Sequence, residues 1–166
     1  MKLTDMKNVL SFVIVLLVFS ACSSQKSATT TSVTSEQLNK LLDDQSFTFV
    51  ARQVNPQGGR PRFLTETFFN LTVNNNKVTA DLPYFGRATQ ATIGSEGGIR
   101  FTSEKYKYEK SAGKKGWNIT IKPEDNSDIQ VCNLSVMENG TASLVVSSNR
   151  RETISYDGTV SPIPVK

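Results

Sequence analysis

Few residues in this 166-residue chain are equipped for covalent chemistry. Histidine is absent, which removes the commonest metal ligand and the commonest general base together. Serine is plentiful, but without an imidazole the usual activated-serine arrangement has no base, and no Gly-x-Ser-x-Gly elbow occurs. Glu124, Asp125 and Asp128 stand close together, yet their spacing lacks the alternating oxygen ligands of a calcium loop and reads as a solvated turn. Two cysteines, Cys22 and Cys132, are too few for a disulfide framework. Cys132 sits between Val131 and Leu134, where a small thiol packs as a hydrophobe. No metal, no cofactor and no catalytic residue is expected, and the expected class is not an enzyme.

Cys22 is the exception, because of what precedes it. Lys2 and Lys7 lead into an uncharged run from Val9 to Phe19, followed by Ser20 and Ala21. Eleven helical residues rise about 16 Å, roughly half of a ~30 Å hydrocarbon core. The run is too short to span and matches a secretory signal over residues 1–21. Phe19-Ser20-Ala21-Cys22 resembles the lipobox of bacterial lipoproteins, which implies that the Cys22 thiol carries a diacylglyceryl group and becomes the new N-terminus. Acyl chains convert a soluble domain into an anchored one, at about 0.8 kcal/mol per buried CH₂. Ser23 in place of aspartate, and no acidic cluster over Ser23–Ser35, resemble the sorting pattern of the outer membrane, with the domain facing the periplasm.

The elements that follow are legible from composition and period. Residues 22–33 are small and polar, a flexible tether. Thr34 and Gln37 fit a capping box, Val33 and Leu38 a hydrophobic staple, and Leu38, Leu41 and Leu42 one apolar stripe. This predicts one short helix packed on the domain. From Ser46 the period becomes two: Phe47/Phe49/Ala51, Val78/Ala80/Leu82, Trp117/Ile119/Ile121 and Ala142/Leu144/Val146 each alternate with polar or smaller neighbours. Tyr106 and Tyr108, among Lys105, Lys107 and Lys110, read as an aromatic inner face under a lysine outer face. Parity slips between Ile129 and Val136, where a bulge is expected. Asn139-Gly140 is expected to form a type I′ hairpin. Eight to ten short antiparallel strands over a single domain at 34–160, with a tail at 161–166, suit an up-and-down barrel or a sandwich equally. An interior filled by Phe63, Phe69, Trp117 and Tyr106 would leave a barrel no room for a ligand.

One run breaks the pattern. In DLPYFGRA, Asp81–Ala88, two aromatics stand where a turn is expected, between Pro83 and Gly86. Tyr84, Phe85 and Arg87 read either as a lip that contacts a partner or an apolar ligand, or as a plug closing one end of the sheet. The formal charge of +4 falls to +3 without the leader and is scattered rather than striped, which excludes nucleic acid as a partner. Four Asn-x-Ser/Thr triplets, at Asn70, Asn118, Asn133 and Asn139, are what an Asn/Thr-rich chain produces by chance.

LPYFGRA, EGGIRFTS, GWNITIKP, the Asn-Leu-Ser strand and the NGTASL turn, in that order, resemble a family of small Bacteroidetes lipoproteins catalogued as domain of unknown function 4251. The likeness runs from about Leu38 to Thr159, with the lipobox before it. It implies a lipocalin-like up-and-down barrel and carries over no catalytic residue. The function expected is a non-enzymatic, membrane-anchored binding module. Its ligand would be an apolar small molecule held within the barrel, or an envelope protein met by the aromatic lip. The alternative is a structural or assembly lipoprotein with a filled core.

Overall fold

The computed structural model describes residues 33–66, 68–87 and 97–164. The leader, Cys22 and nearly all of the tether lie outside the described residues. The first ordered element is α1 (Ser35–Asp43), and its start is set by the predicted box: Gln37 N–H donates to the Thr34 hydroxyl (3.3 Å) and Thr34 N–H to the Gln37 side-chain oxygen (3.1 Å). Two of the orphan amides of a helix start are thereby satisfied. Leu38 and Leu42 are fully buried and Leu41 partly so.

Ten strands follow: β1 (Ser46–Pro56), β2 (Arg62–Phe63), β3 (Asn70–Asn74), β4 (Lys77–Pro83), β5 (Gly98–Ser103), β6 (Tyr106–Gly113), β7 (Gly116–Pro123), β8 (Ile129–Met137), β9 (Thr141–Ser148) and β10 (Ile154–Ser161). All pair antiparallel in one sheet, in the order β5-β4-β3-β1-β10-β9-β8-β7-β6, with β2 beside β1. The sheet curls into a half-barrel. Two details explain its shape. β2 and β3 pair with successive parts of β1, Gln53–Val54 and Ser46–Val50, so they are one strand interrupted by residues 64–69. β5 and β6, the two edges, are joined by only Glu104 and Lys105. Strand direction alternates along the order, so β5 and β6 run the same way. They form one kinked strand whose first half pairs with β4 and whose second half pairs with β7. Counted so, eight staves follow one another around the curve, the up-and-down arrangement.

Among the described residues no strand pairs with the outer edge of β6, and alternate side chains of β6 reach toward α1 and the turn after it. Tyr106 Oη lies 3.2 Å from Gln45 Oε1 and 3.1 Å from the Asn75 carbonyl, and Tyr108 Oη donates to the Leu42 carbonyl (2.8 Å). Lys110 Nζ donates to Asn39 (2.7 Å) and pairs with Asp43. Alternate β6 side chains thus step backwards along the helix. Lys110 shares the face of the two tyrosines, so the expected lysine outer face holds for the exposed Lys105 and Lys107 and not for Lys110.

The interior is packed by Phe47, Phe49, Leu71, Leu82, Ile119, Ile121, Leu134, Leu144 and Tyr156, all essentially buried. Trp117, Tyr106 and Phe69 pack against this core partly buried, while Phe63 is 83% exposed and takes no part in it. The two-residue β2 turns Phe63 to solvent before the core begins again at Leu71. The predicted bulge falls between Ile129 and Val131. A second, between Ala51 and Gln53, was not predicted. There a Cβ on Gly158 would run into the Val50 carbonyl. The Asn139-Gly140 hairpin is a correction: only Gly140 has positive φ (+83°), and its N–H donates to the Met137 carbonyl (2.9 Å). This is a three-residue loop with a left-handed glycine, not type I′. Asn139 Oδ1 instead accepts from the Thr141 N–H and hydroxyl.

Candidate functional site

Pro83 ends β4 by withholding a ladder donor, and the next four residues fold back on the β9–β10 loop. The Tyr84 hydroxyl lies 2.7 Å from the Arg87 carbonyl and 3.2 Å from the Glu152 carbonyl, with one proton to share between them. Glu152 N–H donates to the Arg87 carbonyl (3.1 Å), and Arg87 N–H to the Glu152 carboxylate (3.4 Å). The Arg151 guanidinium lies 5.3 Å from the Tyr84 ring centroid while donating to the Gly98 carbonyl (2.6 Å), with the Asp128 carboxylate 3.9 Å away. Beneath them the Tyr156 hydroxyl donates to the Pro83 carbonyl (2.8 Å). Burial, and then the charge of Glu152, raise the Tyr84 phenol above its ordinary value. It is a neutral donor that closes a loop. A Cβ on Gly86 would sit 2.5 Å from the Tyr84 hydroxyl, so the glycine is needed for room.

Phe85 points the other way. It is 43% exposed, and the Arg62 guanidinium lies 4.7 Å from its ring centroid. Phe63 stands next in sequence to Arg62, still more exposed. A small hollow of about 120 Å³ is lined by Pro56, Gly58, Gly59, Phe85, Gly86, Arg87 and Glu152. The Arg60, Arg62 and Arg87 side chains are exposed, and their guanidinium groups have no salt-bridge partner among the described residues. Tyr84, Phe85 and Arg87 are therefore one loop with two faces. Tyr84 and the Arg87 backbone hold it to the domain, and Phe85 is presented to solvent with Arg62. Arg62 and Phe63 escaped the sequence reading because β2 has too few residues to show a period. Their only signal is an Arg-Phe pair directly after a Gly-Gly-Arg-Pro turn.

Such a surface has the chemistry of a contact surface. Aromatic rings and arginines are the side chains that supply most interface energy, through stacking and cation–π contacts. Among the described residues no group of three or more His, Cys, Asp or Glu side chains could hold a metal ion, and no described helix is long and apolar enough to cross a membrane. Asp125, in the acidic turn, is structural. It accepts from Ser103 Oγ and from the Glu104 and Lys105 amides (2.9 and 3.1 Å), which fixes the β5–β6 kink. The Ser103 hydroxyl, and then the Glu104 amide, hold its carboxyl below the usual range. Cys132 is buried and free, its thiol pushed up to about 12 by burial, and is unreactive in the folded domain.

Comparison with known proteins adds fold and family. No curated protein matches. A crystal structure of a DUF4251 family protein from Bacteroides eggerthii DSM 20697 is 19% identical, with a TM-score of 0.59 over 79% of this chain and 89% of that one. At that identity the likeness is one of fold. The family described as "Domain of unknown function (DUF4251)" matches residues 30–160, so nearly the whole described domain is covered, and the chain belongs to that family.

Proposed function

We propose that this chain is an outer-membrane lipoprotein, anchored through acyl chains on Cys22 and facing the periplasm, that works without catalysis as a binding module for an envelope protein. The observation that carries the binding reading is the exposed ring of Phe85 with the Arg62 guanidinium stacked on it, a second exposed ring at Phe63 next to Arg62 in sequence, and no salt-bridge partner for the Arg60, Arg62 or Arg87 guanidinium among the described residues. Leaving such rings in water forgoes burial that stabilises a protein by ~1.5–3 kcal/mol per side chain. A partner that covers them recovers it. The interior offers a ligand nothing comparable, since Phe47, Phe49 and Tyr156 fill it. That same filled interior favours a second reading, a structural lipoprotein with no partner at the lip.

The two are separated by paired variants. Phe63→Ala/Phe85→Ala is expected to leave the melting temperature within ~1 °C, because exposed side chains contribute little to folding, and to abolish a cross-linked envelope complex of the anchored protein. Tyr84→Ala is expected to lower stability by about 2 kcal/mol through lost packing and hydrogen bonding. A complex that persists in the double variant sinks the lip as the recognition surface. No complex in any variant favours the structural reading.

A further inference from the structure

The outer face of β7–β10 carries a feature that the lip does not explain. Ile119, Leu134, Leu144 and Tyr156 face the core, so their neighbours Asn118, Ser135, Ser143 and Asp157 face out. Strand register aligns these four in one row across the sheet. A groove of about 580 Å³ runs along the row, walled by the Gly113–Gly116 hairpin and by Met137, which is 55% exposed. That volume falls within the ~300–1,000 Å³ of small-molecule sites. Its floor is made of short side chains and of Gly158, and two of its polar side chains are engaged by neighbours. Ser135 Oγ donates to Asn118 Oδ1 (3.0 Å), and Asp157 accepts from Asn55 (2.7 Å). The surface that lines the groove is mostly carbon. Gly116 is required beside it, because its φ is +146° and a Cβ would strike the Val136 carbonyl.

Charge is divided between the two ends. Lys114 and Lys115 are exposed on the hairpin and have no carboxylate partner among the described residues. Asp157 stands at the opposite end of the row, three strands away and about 14 Å off at ~4.8 Å per strand. Lys110, near the ring of Trp117 at 5.8 Å, is already held by Asn39 and Asp43. An apolar channel with two unpaired cations at one end and an anion at the other selects for both composition and direction. We propose that this groove binds a single-chain anionic amphiphile of the long-chain carboxylate type. Its head group meets Lys114 and Lys115, and its chain lies across β8 and β9. This site is distinct from the lip and stands whether or not the lip has a partner.

Met137 walls the groove from the outer side, while the ring of Trp117, the chain's one tryptophan, packs against the core, so the reporter is Met137→Trp in a Trp117→Phe background, whose emission reads occupancy. The probe is a bromine-tipped dodecanoate, whose bromine quenches indole on contact, titrated into the full chain, with bromine-tipped dodecanol as the uncharged control. Saturable quenching is expected, about tenfold weaker for the alcohol and about tenfold weaker in Lys114→Glu/Lys115→Glu, and lost in Ser143→Phe, which fills the floor. Quenching that does not saturate, that is equal for acid and alcohol, or that is unchanged by the lysine pair overturns the proposal. If Ser143→Phe loses its native circular dichroism, the lysine pair decides alone, since both residues lie in an exposed turn.

Discussion

Two adjacent aromatics, Tyr84 and Phe85, have opposite fates, and a hydroxyl decides which. Tyr84 is the member that can donate, and the carbonyls of Arg87 and Glu152 converge on it. Phe85 has nothing to donate and faces solvent beside Arg62. Sequence reasoning found the loop but treated the pair as one unit, because the chain distance between Tyr84 and Glu152 hides the partner. Asp125 makes a separate point at this scale. Its carboxyl is held low by hydrogen bonds present only in the folded state. It therefore binds protons more weakly folded than unfolded, and its contribution to stability is present above the ordinary carboxylate range. That contribution is expected to fade as pH falls through the depressed native value. Acid melting curves should show this loss in the parent and a flatter profile in Asp125→Asn, and identical acid profiles would remove Asp125 from the account.

At the scale of elements, α1 is tied to β6 by side-chain hydrogen bonds. Its start was readable in the sequence, since Thr34 and Gln37 lie three apart before an apolar stripe. Its neighbour was not readable, because the Tyr106–Gln45, Tyr108–Leu42 and Lys110–Asn39 contacts join segments more than sixty residues apart. Strand parity was equally legible at Val78/Ala80/Leu82 and Ile119/Ile121, where one face is buried and alternation must show. It failed at β2, where two residues carry no period, and at Asn139-Gly140, where asparagine bonds to Thr141 and leaves the left-handed position to glycine. Thr34→Ala is expected to cost about 1 kcal/mol through the lost cap, lowering the melting temperature by roughly 4 °C. Lys110→Ala should raise amide exchange across Ser35–Asp43 more than across β8 and β9. Uniform exchange across all three segments would mean that the helix does not depend on β6.

For the whole molecule, the described interior is filled by side chains such as Phe47, Phe49 and Tyr156, and the proposed contacts lie on the outside of the domain. Twelve residues lie between Cys22 and α1 in the sequence, and a chain of that length spans at most about 43 Å. An anchor on Cys22 would hold the domain within that reach of the bilayer. Cys22→Ala is expected to move the protein from the membrane to the soluble envelope fraction, as read by fractionation, and continued membrane association would contradict lipidation at that thiol. The barrel itself was suggested by strand count and by likeness to the DUF4251 family. The kink at Glu104–Lys105 between its two edge strands is held by Asp125, which the sequence presents only as part of a solvated turn. The measurement that bears most directly on the central claim, recognition by the exterior of a solid domain, is site-specific photocross-linking of the anchored protein in cells. With a photoreactive phenylalanine at position 85, one discrete protein adduct is expected. With the same group at position 122 on an exposed strand face, none is expected. Absence of an adduct at 85, or the same adducts from both positions, would contradict it.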